Sequence, residues 1–360
     1  MTENPAAGDQ FSVLVTGASG LVGHEISELL SDAGAEVVGV SRSVPPSSNV
    51  TMVSWDMASE PPPQRLRRQW GAIINAAANT RWTMNPDEAL AVNAESVRTL
   101  ASLASADTRV IHVSTAYATG LHGTTESSEL SDYRNTYEWS KAAAERIAME
   151  VFNDCTIVRP PLIVGRRVDG RAARFSGMYT LIRGLTIGTV PAVVADAEAR
   201  FDAIPVDDLA RLLADLATGV AEEPGRVLTI ACGKEAPPVH KAIEAVVKAL
   251  NEWRTSHGRS ALECPPLISP DSWKRFFQPF VQEHLTSRQR LILDLLQSFE
   301  PYLALSAPLR PDVVVKDVLP CLAASTSYWA EAYPRLASLE PSPWRRLDRA
   351  SVDAREAQSA

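Results

Sequence analysis

The sequence predicts an α/β protein in which helices cover both faces of a parallel β-sheet. Over roughly the first 150 residues, short runs of β-branched and apolar residues alternate with helical patterns, which is typical of βαβ units. A glycine-rich turn joins the first strand to the first helix. Proline clusters, Pro45–Pro46 and Pro61–Pro63, fall between the predicted elements, where chain breaks belong.

The strands are predicted from short apolar runs, because strands buried on both faces of a parallel sheet lack polar alternation. They are Phe11–Thr16, Val37–Val40, Val50–Val53, Ala72–Asn75, Arg109–Val113 and Thr156–Arg159. Helices are predicted between them, where apolar residues recur at helical spacing. These are Leu21–Ala33, the stretch from Pro86 to about Ser105, and Thr136–Val151.

Beyond Pro160 the alternation becomes irregular. Residues 165–200 are rich in Arg and Gly, Ile204–Leu209 leads into a helix, and helical patterns recur near 240–250 and 287–299. Prolines after residue 300 predict short helices and loops. The expected organisation is a loose tail at 1–10, a nucleotide-binding domain at 11–160, a substrate-binding lid and helical region with some strands returning to the sheet at 161–347, and a frayed tail at 348–360.

Composition narrows the function classes. Hydrophobic residues make up 45% and charged residues 22% of the 360 residues, with a net charge of −8, which is typical of a globular protein and argues against a nucleic-acid-coating surface. No apolar run reaches the ~18 residues of a membrane helix, and no secretory signal is evident. Four scattered cysteines and the absence of an HExxH pair predict neither a disulfide framework nor a catalytic metal. We expect a cytoplasmic protein.

The glycine-rich turn is a candidate nucleotide site. A GxxGxxG pattern lets a pyrophosphate approach the amides of the following helix, because glycine brings no side chain. The predicted cofactor-binding residues of this turn are Thr16, Gly17, Ser19, Gly20, Leu21, Val22 and Gly23.

The end of the second strand predicts which nucleotide is bound. A carboxylate there would favour NAD, whereas an arginine accommodates the 2′-phosphate of NADP. This chain has Ser41, Arg42 and Ser43 and no carboxylate. We therefore predict NADPH.

Tyr137 and Lys141 form a candidate catalytic pair. Residues four apart lie on one helical face, and a nearby cation favours the phenolate, so the sequence predicts that Lys141 lowers the pKa of Tyr137. Such a tyrosine exchanges a proton with the oxygen of a carbonyl or alcohol.

Six ordered motifs between about residues 11 and 215 resemble the extended short-chain dehydrogenase/reductases (SDRs), a Rossmann-type family. They are Thr16–Gly23, Asn75–Ala78, Ser114–Tyr117, Tyr137 with Lys141, Arg159–Pro161 and Ile204–Asp208.

The resemblance implies further roles. Thr115 would hydrogen-bond the reacting oxygen, with Ser114 the weaker candidate, and Lys141 would also bind the nicotinamide ribose. Asn93 is either structural or part of a proton relay. The remaining implied cofactor-binding residues are Asp56, Met57, Ala76, Ala77, Ala78, Pro160 and Leu162.

Within the family, the segments His112–Gly120 and Arg200–Asp208 resemble the thioester-reductase and fatty acyl-CoA reductase branch. This implies an NADPH-dependent reduction of an acyl thioester on coenzyme A or an acyl carrier protein, or of the derived aldehyde or ketone. Four arginines are candidates for binding phosphate groups of such a substrate, although a solvated loop explains them as well: Arg166, Arg167, Arg171 and Arg174.

Three alternatives stay open. A nucleotide-sugar epimerase or dehydratase would use the same Tyr, Lys and Thr set, and so would a simple ketone or aldehyde reductase of the hydroxysteroid-dehydrogenase type. A redox-sensing regulator would keep the nucleotide fold, but such sensors typically lack the Tyr/Lys pair. The sequence leaves the acyl group and the oligomeric state open.

Overall fold

The computed structural model describes residues 11–46, 48–175, 177–187, 190, 192–221, 226–277, 279, 300–303 and 307–339. The chain forms two compact units. The first comprises Met1–Ile163, Ala203–Gly233 and Leu309–Val315, and the second comprises Val164–Asp202, Lys234–Pro308 and Lys316–Ala360. The predicted tails at 1–10 and 348–360 and the apolar stripe at 287–299 lie outside the described residues.

Twelve strands lie in the described part of the chain. They are β1 (Ser12–Thr16), β2 (Glu36–Ser41), β3 (Thr51–Ser54), β4 (Ala72–Asn75), β5 (Arg109–Val113), β6 (Cys155–Arg159), β7 (Leu162–Val164), β8 (Val193–Val194), β9 (Ala203–Pro205), β10 (Val227–Ala231), β11 (Leu267–Ile268) and β12 (Val313–Val314).

Eight of these strands form the central sheet of the first unit, in the order β3-β2-β1-β4-β5-β6-β10-β12. All of its neighbouring strands are parallel. The prediction of a Rossmann-type α/β fold is confirmed. The strand order reverses direction between β1 and β4, and ligands of such sheets bind at the carboxyl ends of the strands at this point.

The main helices are α1 (Leu21–Asp32), α2 (Pro86–Leu90), α3 (Ser96–Ala101), α4 (Thr136–Val151), α5 (Met178–Thr186), α6 (Val206–Thr218), α7 (Val239–Ser256) and α8 (Val318–Ala332). In the first unit, α1 packs against α6, and α4 packs against α2 and α3. In the second unit, α7 packs against α8. No helix in the described ranges is long and apolar enough to cross a bilayer.

Two helix predictions need correction. The helix predicted from Pro86 to about Ser105 ends at Ala101 and is interrupted by a π turn at Ala91–Glu95. The short helices and loops expected after residue 300 include the 15-residue helix α8. Pro320 does not break α8, because it lies in the first turn, where backbone N–H groups have no intrahelical acceptor.

The core of the first unit joins the sheet to α3 and α4. Val38, Val53 and Ile73 of the sheet belong to one buried cluster with Leu100 of α3 and Ile147 of α4. Packing both helices on the same sheet fixes the position of α4 relative to the strand ends, and α4 carries Tyr137 and Lys141.

Candidate active site

The glycine turn lies tightly against the end of β4. Gly17 has a φ of +67°, and a Cβ atom added to it would lie 2.7 Å from the Ala76 carbonyl oxygen. A Cβ on Gly23 would lie 2.2 Å from the carbonyl oxygen of Gly17. Both positions therefore require glycine because a side chain has no space there, and Gly17 requires it also because of its positive φ.

Helix α1 begins directly at this turn. Gly20 is its N-cap residue, no side chain caps it, and its first turn carries no acidic residue. Ser19, Leu21 and Val22 are half-buried around this helix end. A bare, uncharged helix N-terminus behind a glycine turn suits a pyrophosphate, so these residues fit a dinucleotide.

The ends of the glycine turn and of β2 are joined by serines. The Oγ atoms of Ser19 and Ser41 are 2.5 Å apart, and Ser41 also donates to the Ser43 carbonyl oxygen at 2.9 Å. Arg42 and Ser43 are exposed immediately after β2. The predicted NADPH-selecting residues therefore lie beside the glycine turn.

The remaining predicted cofactor positions follow strand ends. Asp56 is half-buried after β3, and Met57 packs into the core. Ala76 and Ala77 are half-buried after β4, and Ala78 is exposed. Pro160 is buried after β6, where its carbonyl oxygen accepts from the Ala116 amide, and Leu162 is half-buried.

The start of α4 is fixed by polar side chains. Asn135 caps the helix by accepting from the Glu138 amide at 3.0 Å, and buried Glu138 pairs with Arg134 at 3.1 Å. Tyr137 therefore lies in a well-anchored first turn, with Lys141 one turn further on.

Lys141 connects α4 to the end of β5. Its Nζ atom donates to the Val113 carbonyl oxygen at 2.8 Å and lies 3.1 Å from Nε2 of His112. Thr115 is buried two residues beyond β5, and its Oγ1 accepts from the Tyr117 amide at 3.4 Å. The predicted catalytic residues thus belong to the end of β5 and the adjoining turns of α4.

Burial shifts the two pKa values in opposite directions. Burial of the ring, and then the Glu138 carboxylate, raise the pKa of Tyr137 above its usual value. Burial lowers the pKa of Lys141 to about 8, against an opposing effect of Glu145. The expectation that Lys141 lowers the pKa of Tyr137 is wrong for this structure, because desolvation dominates.

Two buried polar groups at this site were not identified from the sequence. The carboxylate of Glu145, one turn after Lys141, pairs with Arg159 of β6 at 2.5 Å and accepts from Ser114 at 2.5 Å. The sequence signal that could have identified Glu145 is its position four residues after Lys141, on the same helical face. Since the Ser114 hydroxyl is engaged there, Thr115 is the better-placed of the two hydroxyls.

Asn75 and His112 form the second group. They read as strand residues in the sequence, but both are buried and hydrogen-bonded to each other. Thr16 donates to the Oδ1 atom of Asn75 at 2.6 Å and is itself fully buried. Its hydroxyl therefore makes a hydrogen bond between β1 and β4.

Asn93 is hydrogen-bonded to two other residues of the described chain. It lies in the π turn, accepts from the Asn79 amide, and donates to the Asn79 carbonyl oxygen and to Ser140 of α4. These bonds use both protons of its amide nitrogen.

The arginine-rich segment belongs to the second unit. Arg167 donates to the Lys316 carbonyl oxygen at 3.1 Å, just before α8. Arg166 is half-buried; its amide donates to the Arg171 carbonyl oxygen and its carbonyl oxygen accepts from the Gly170 amide, which closes a tight turn. Arg171 and Arg174 are exposed.

The sequence of this chain matches a family model, and its fold matches solved structures. Residues 59–213, which span β4 to α6, match the family model described as Male sterility protein. The predicted resemblance to the extended short-chain dehydrogenase/reductases is confirmed. The family model and the complexes of similar structures with NAD support the binding of NAD(P) by this chain. A comparison with curated proteins finds no match.

Several solved structures share the fold of this chain. The terminal R domain of the myxalamid PKS-NRPS biosynthetic pathway is 18% identical, with a TM-score of 0.62 and 94% of both chains covered. WbmH of Bordetella bronchiseptica, in complex with NAD+, is 19% identical, with a TM-score of 0.63 and coverage of 90% of this chain and 99% of that one. UDP-glucuronic acid 4-epimerase from Bacillus cereus, with NAD, is 18% identical, with a TM-score of 0.56 and coverage of 90% and 98%.

Proposed function

We propose that this protein is an NADPH-dependent reductase. Its substrate would be the carbonyl of an acyl thioester, bound to coenzyme A or an acyl carrier protein, or the derived aldehyde or ketone. The observation that carries the proposal is the hydrogen bond from Lys141 to the Val113 carbonyl oxygen at the end of β5. Thr115 follows Val113 by two residues, and Tyr137 lies one helical turn before Lys141 on α4.

Each residue has a definite task in this reaction. Thr115 and Tyr137 donate hydrogen bonds to the substrate carbonyl oxygen, where negative charge develops. Tyr137 then gives its proton to that oxygen, and Lys141 holds the nicotinamide ribose. The bound cofactor supplies the hydride. With a thioester substrate, the product of this step is a hemithioacetal. Its carbon–sulfur bond then breaks, the hydroxyl proton passes to the departing thiolate, and an aldehyde and a thiol are released.

The protonation of Tyr137 supports the proposal of a reductive reaction. Burial raises its pKa, so the phenol is protonated at neutral pH and ready to act as an acid. Reduction of a carbonyl begins with an acid at this position, whereas an epimerase begins by oxidising an alcohol and needs a base. The match to the Male sterility protein model and the likeness to a terminal R domain are compatible with this proposal, and the likeness to a UDP-sugar epimerase is compatible with the alternative.

A panel of acyl-CoA thioesters, aldehydes and ketones with NADPH oxidation as readout tests the proposal. We expect absorbance loss in step with product formation for at least one thioester or aldehyde. The likeness to sugar-nucleotide epimerases supplies the competing function. Interconversion of a UDP-sugar without net NADPH consumption would establish that function instead.

The preference for NADPH is tested at Arg42. Replacing Arg42 with Ala removes a cation beside the proposed 2′-phosphate position, so we expect the KM for NADPH to rise roughly tenfold, the effect of a lost charge-assisted bond. The KM for NADH should change little. Arg65→Ala, another exposed arginine of the first unit, is the matched control.

The exposed arginines of the second unit are proposed to bind phosphate groups of the thioester. Charge reversal in the double variant Arg171→Glu, Arg174→Glu should raise the KM for a coenzyme A thioester and leave the KM for NADPH unchanged. An unchanged thioester KM would assign these residues to a solvated loop.

A further inference from the structure

Three polar residues occupy the same level on neighbouring strands of the central sheet. Thr16 of β1 is the register partner of Asn75 of β4, and Asn75 is the register partner of His112 of β5. Side chains paired in this way on parallel strands point to the same face. None of the three is more than 2% exposed, so their polar atoms depend on one another for hydrogen bonds.

Hydrogen bonds join these residues into a line that ends at Lys141. The Thr16 hydroxyl lies 2.6 Å from Asn75 Oδ1, and Asn75 Nδ2 lies 3.0 Å from His112 Nδ1. The second ring nitrogen of His112, Nε2, lies 3.1 Å from Lys141 Nζ. We call Thr16, Asn75, His112 and Lys141 the buried chain.

The imidazole of His112 is neutral in this chain. Burial, and then the charge of Lys141, lower the pKa of His112 well below its usual value. A neutral imidazole has one donor nitrogen and one acceptor nitrogen. If Nδ1 accepts from Asn75, Nε2 donates, and it then suits an uncharged Lys141 amine. If Asn75 turns its amide over and accepts from Nδ1, Nε2 becomes an acceptor for a Lys141 ammonium.

The buried chain therefore has one arrangement for each charge state of Lys141. An amide can turn over in place because its oxygen and nitrogen have nearly the same size. Of the two arrangements, the one with the ammonium contains the stronger, charge-assisted hydrogen bond.

Other groups that face Lys141 act differently. Glu145 lies one turn away on α4 and favours the charged amine, but its carboxylate is shared with Arg159 of β6. Tyr137, on the preceding turn, is uncharged at neutral pH. Val113 accepts a hydrogen bond through its carbonyl oxygen in either charge state, so His112 is the contact that distinguishes them.

We propose that His112 and Asn75 are positioning residues, which hold the Lys141 amine at the end of β5 and stabilise its charged form through hydrogen bonds that reverse direction. This assignment rests on the proposed function, in which Lys141 holds the nicotinamide ribose. It extends that function to two strand residues that are almost completely buried.

Lysine NMR tests the proposal without cofactor or substrate. Lysine labelled with 13C at Cε gives six signals, one for each lysine of the chain, and the Lys141→Arg variant shows which signal belongs to Lys141. His112→Leu removes the acceptor, so we expect the Lys141 titration midpoint to fall by about one pH unit, the value of one charge-assisted hydrogen bond. His112→Gln keeps an acceptor and should stay near the wild type.

Asn75→Asp is the second, independent variant. A carboxylate only accepts hydrogen bonds, so it holds the proton on Nδ1 and keeps Nε2 as the acceptor that the ammonium needs. The Lys141 midpoint should therefore rise by about one pH unit or more. Ser140→Ala, next to Lys141 on α4 but outside the buried chain, should leave the midpoint unchanged.

The outcomes separate this proposal from the proposed function. Unchanged Lys141 midpoints in Asn75→Asp and in folded His112→Leu would overturn the positioning role. If His112→Leu does not fold, Asn75→Asp decides alone. Expected midpoint shifts in a protein that consumes no NADPH with any thioester, aldehyde or ketone would leave the buried chain in place and refute the reductase.

Discussion

Tyr137 and Lys141 share one helical face, yet burial favours the neutral form of both. It raises the pKa of the phenol and lowers that of the amine, because removing a charge from water is costly whichever its sign. The consequence is a phenol that keeps its proton until a reaction takes it. A protonated phenol is what the proposed general acid requires.

Replacing Tyr137 with Phe tests that role. Loss of the hydroxyl should reduce turnover by ~10²–10⁴-fold, the usual contribution of a general acid, and leave the affinity for NADPH within about twofold. Turnover is measured by NADPH oxidation and binding by NADPH fluorescence. Tyr133→Phe is the matched control, because buried Tyr133 donates to the Ser127 carbonyl oxygen and should keep full turnover. Normal activity in Tyr137→Phe would contradict the mechanism.

Lys141 should make stability depend on pH. The unfolded chain keeps this proton up to the ordinary pKa of 10.5, whereas the folded chain releases it at about 8. Between these values the unfolded state binds more protons, so the free energy of unfolding contributed by Lys141 rises with pH, and below about 8 the cost of burying the charge is present in full.

Urea unfolding between pH 7 and 10 measures this dependence. The wild type should gain stability relative to Lys141→Met as the pH rises above about 8. Lys241→Met, which removes an exposed lysine paired with Glu244, should run parallel to the wild type over the same range. A parallel curve for Lys141→Met would show that Lys141 does not titrate there.

At the scale of elements, α4 and β6 are joined by the Glu145–Arg159 pair. The side chain of Glu145 is 3% exposed and that of Arg159 16%. Removing one partner of a buried pair leaves an uncompensated charge, at a cost of about 3–5 kcal/mol. Glu145→Ala should therefore lower the free energy of unfolding by about that amount in urea titrations.

The same helix provides the control. Glu150 of α4 pairs with Arg98 at the surface, with side chains 63% and 45% exposed, and surface pairs contribute about 0–1 kcal/mol. Glu150→Ala should thus cost much less than Glu145→Ala. Equal effects would mean that burial does not govern the strength of these pairs.

The sequence predicted the elements whose patterns are local. Buried parallel strands such as β1 and β4 read as uninterrupted apolar runs, and the glycine turn follows directly after β1. The π turn at Ala91–Glu95 has no comparable pattern, so the helix there was predicted as continuous. Strand β12 has two residues, which is too short to show periodicity.

The candidate site was predicted in the same partial way. Tyr137 and Lys141 could be found because their spacing is a property of one helix. Asn75 and His112 could not, because their contact exists only when β1, β4 and β5 lie side by side in register. Glu145 could be predicted only in part. Its helix follows from the local pattern, but its pairing with Arg159 of β6 depends on how the helix packs.

For the whole molecule, cofactor binding should appear as thermal stability. A ligand that binds only the folded state stabilises it by RT ln(1 + [L]/Kd), about 2.7 kcal/mol at a concentration 100-fold above Kd. We expect NADPH to raise the melting temperature more than NADH at equal concentration in a thermal-shift assay. Gly23→Ala crowds the glycine turn and should abolish the increase, whereas Tyr137→Phe should retain it. A larger increase with NADH would refute the NADPH preference.

The π turn at Ala91–Glu95 also constrains how this chain can vary in length. Such a turn contains one residue more than regular α-helical winding would use, and here that extra residue brings Asn93 to Asn79 and Ser140. Deleting a single residue from this stretch would restore ordinary winding, rotate Asn93 away from both partners and leave their polar groups without hydrogen bonds. Homologous chains that keep this asparagine contact are therefore expected to carry no one-residue gap between α2 and α3.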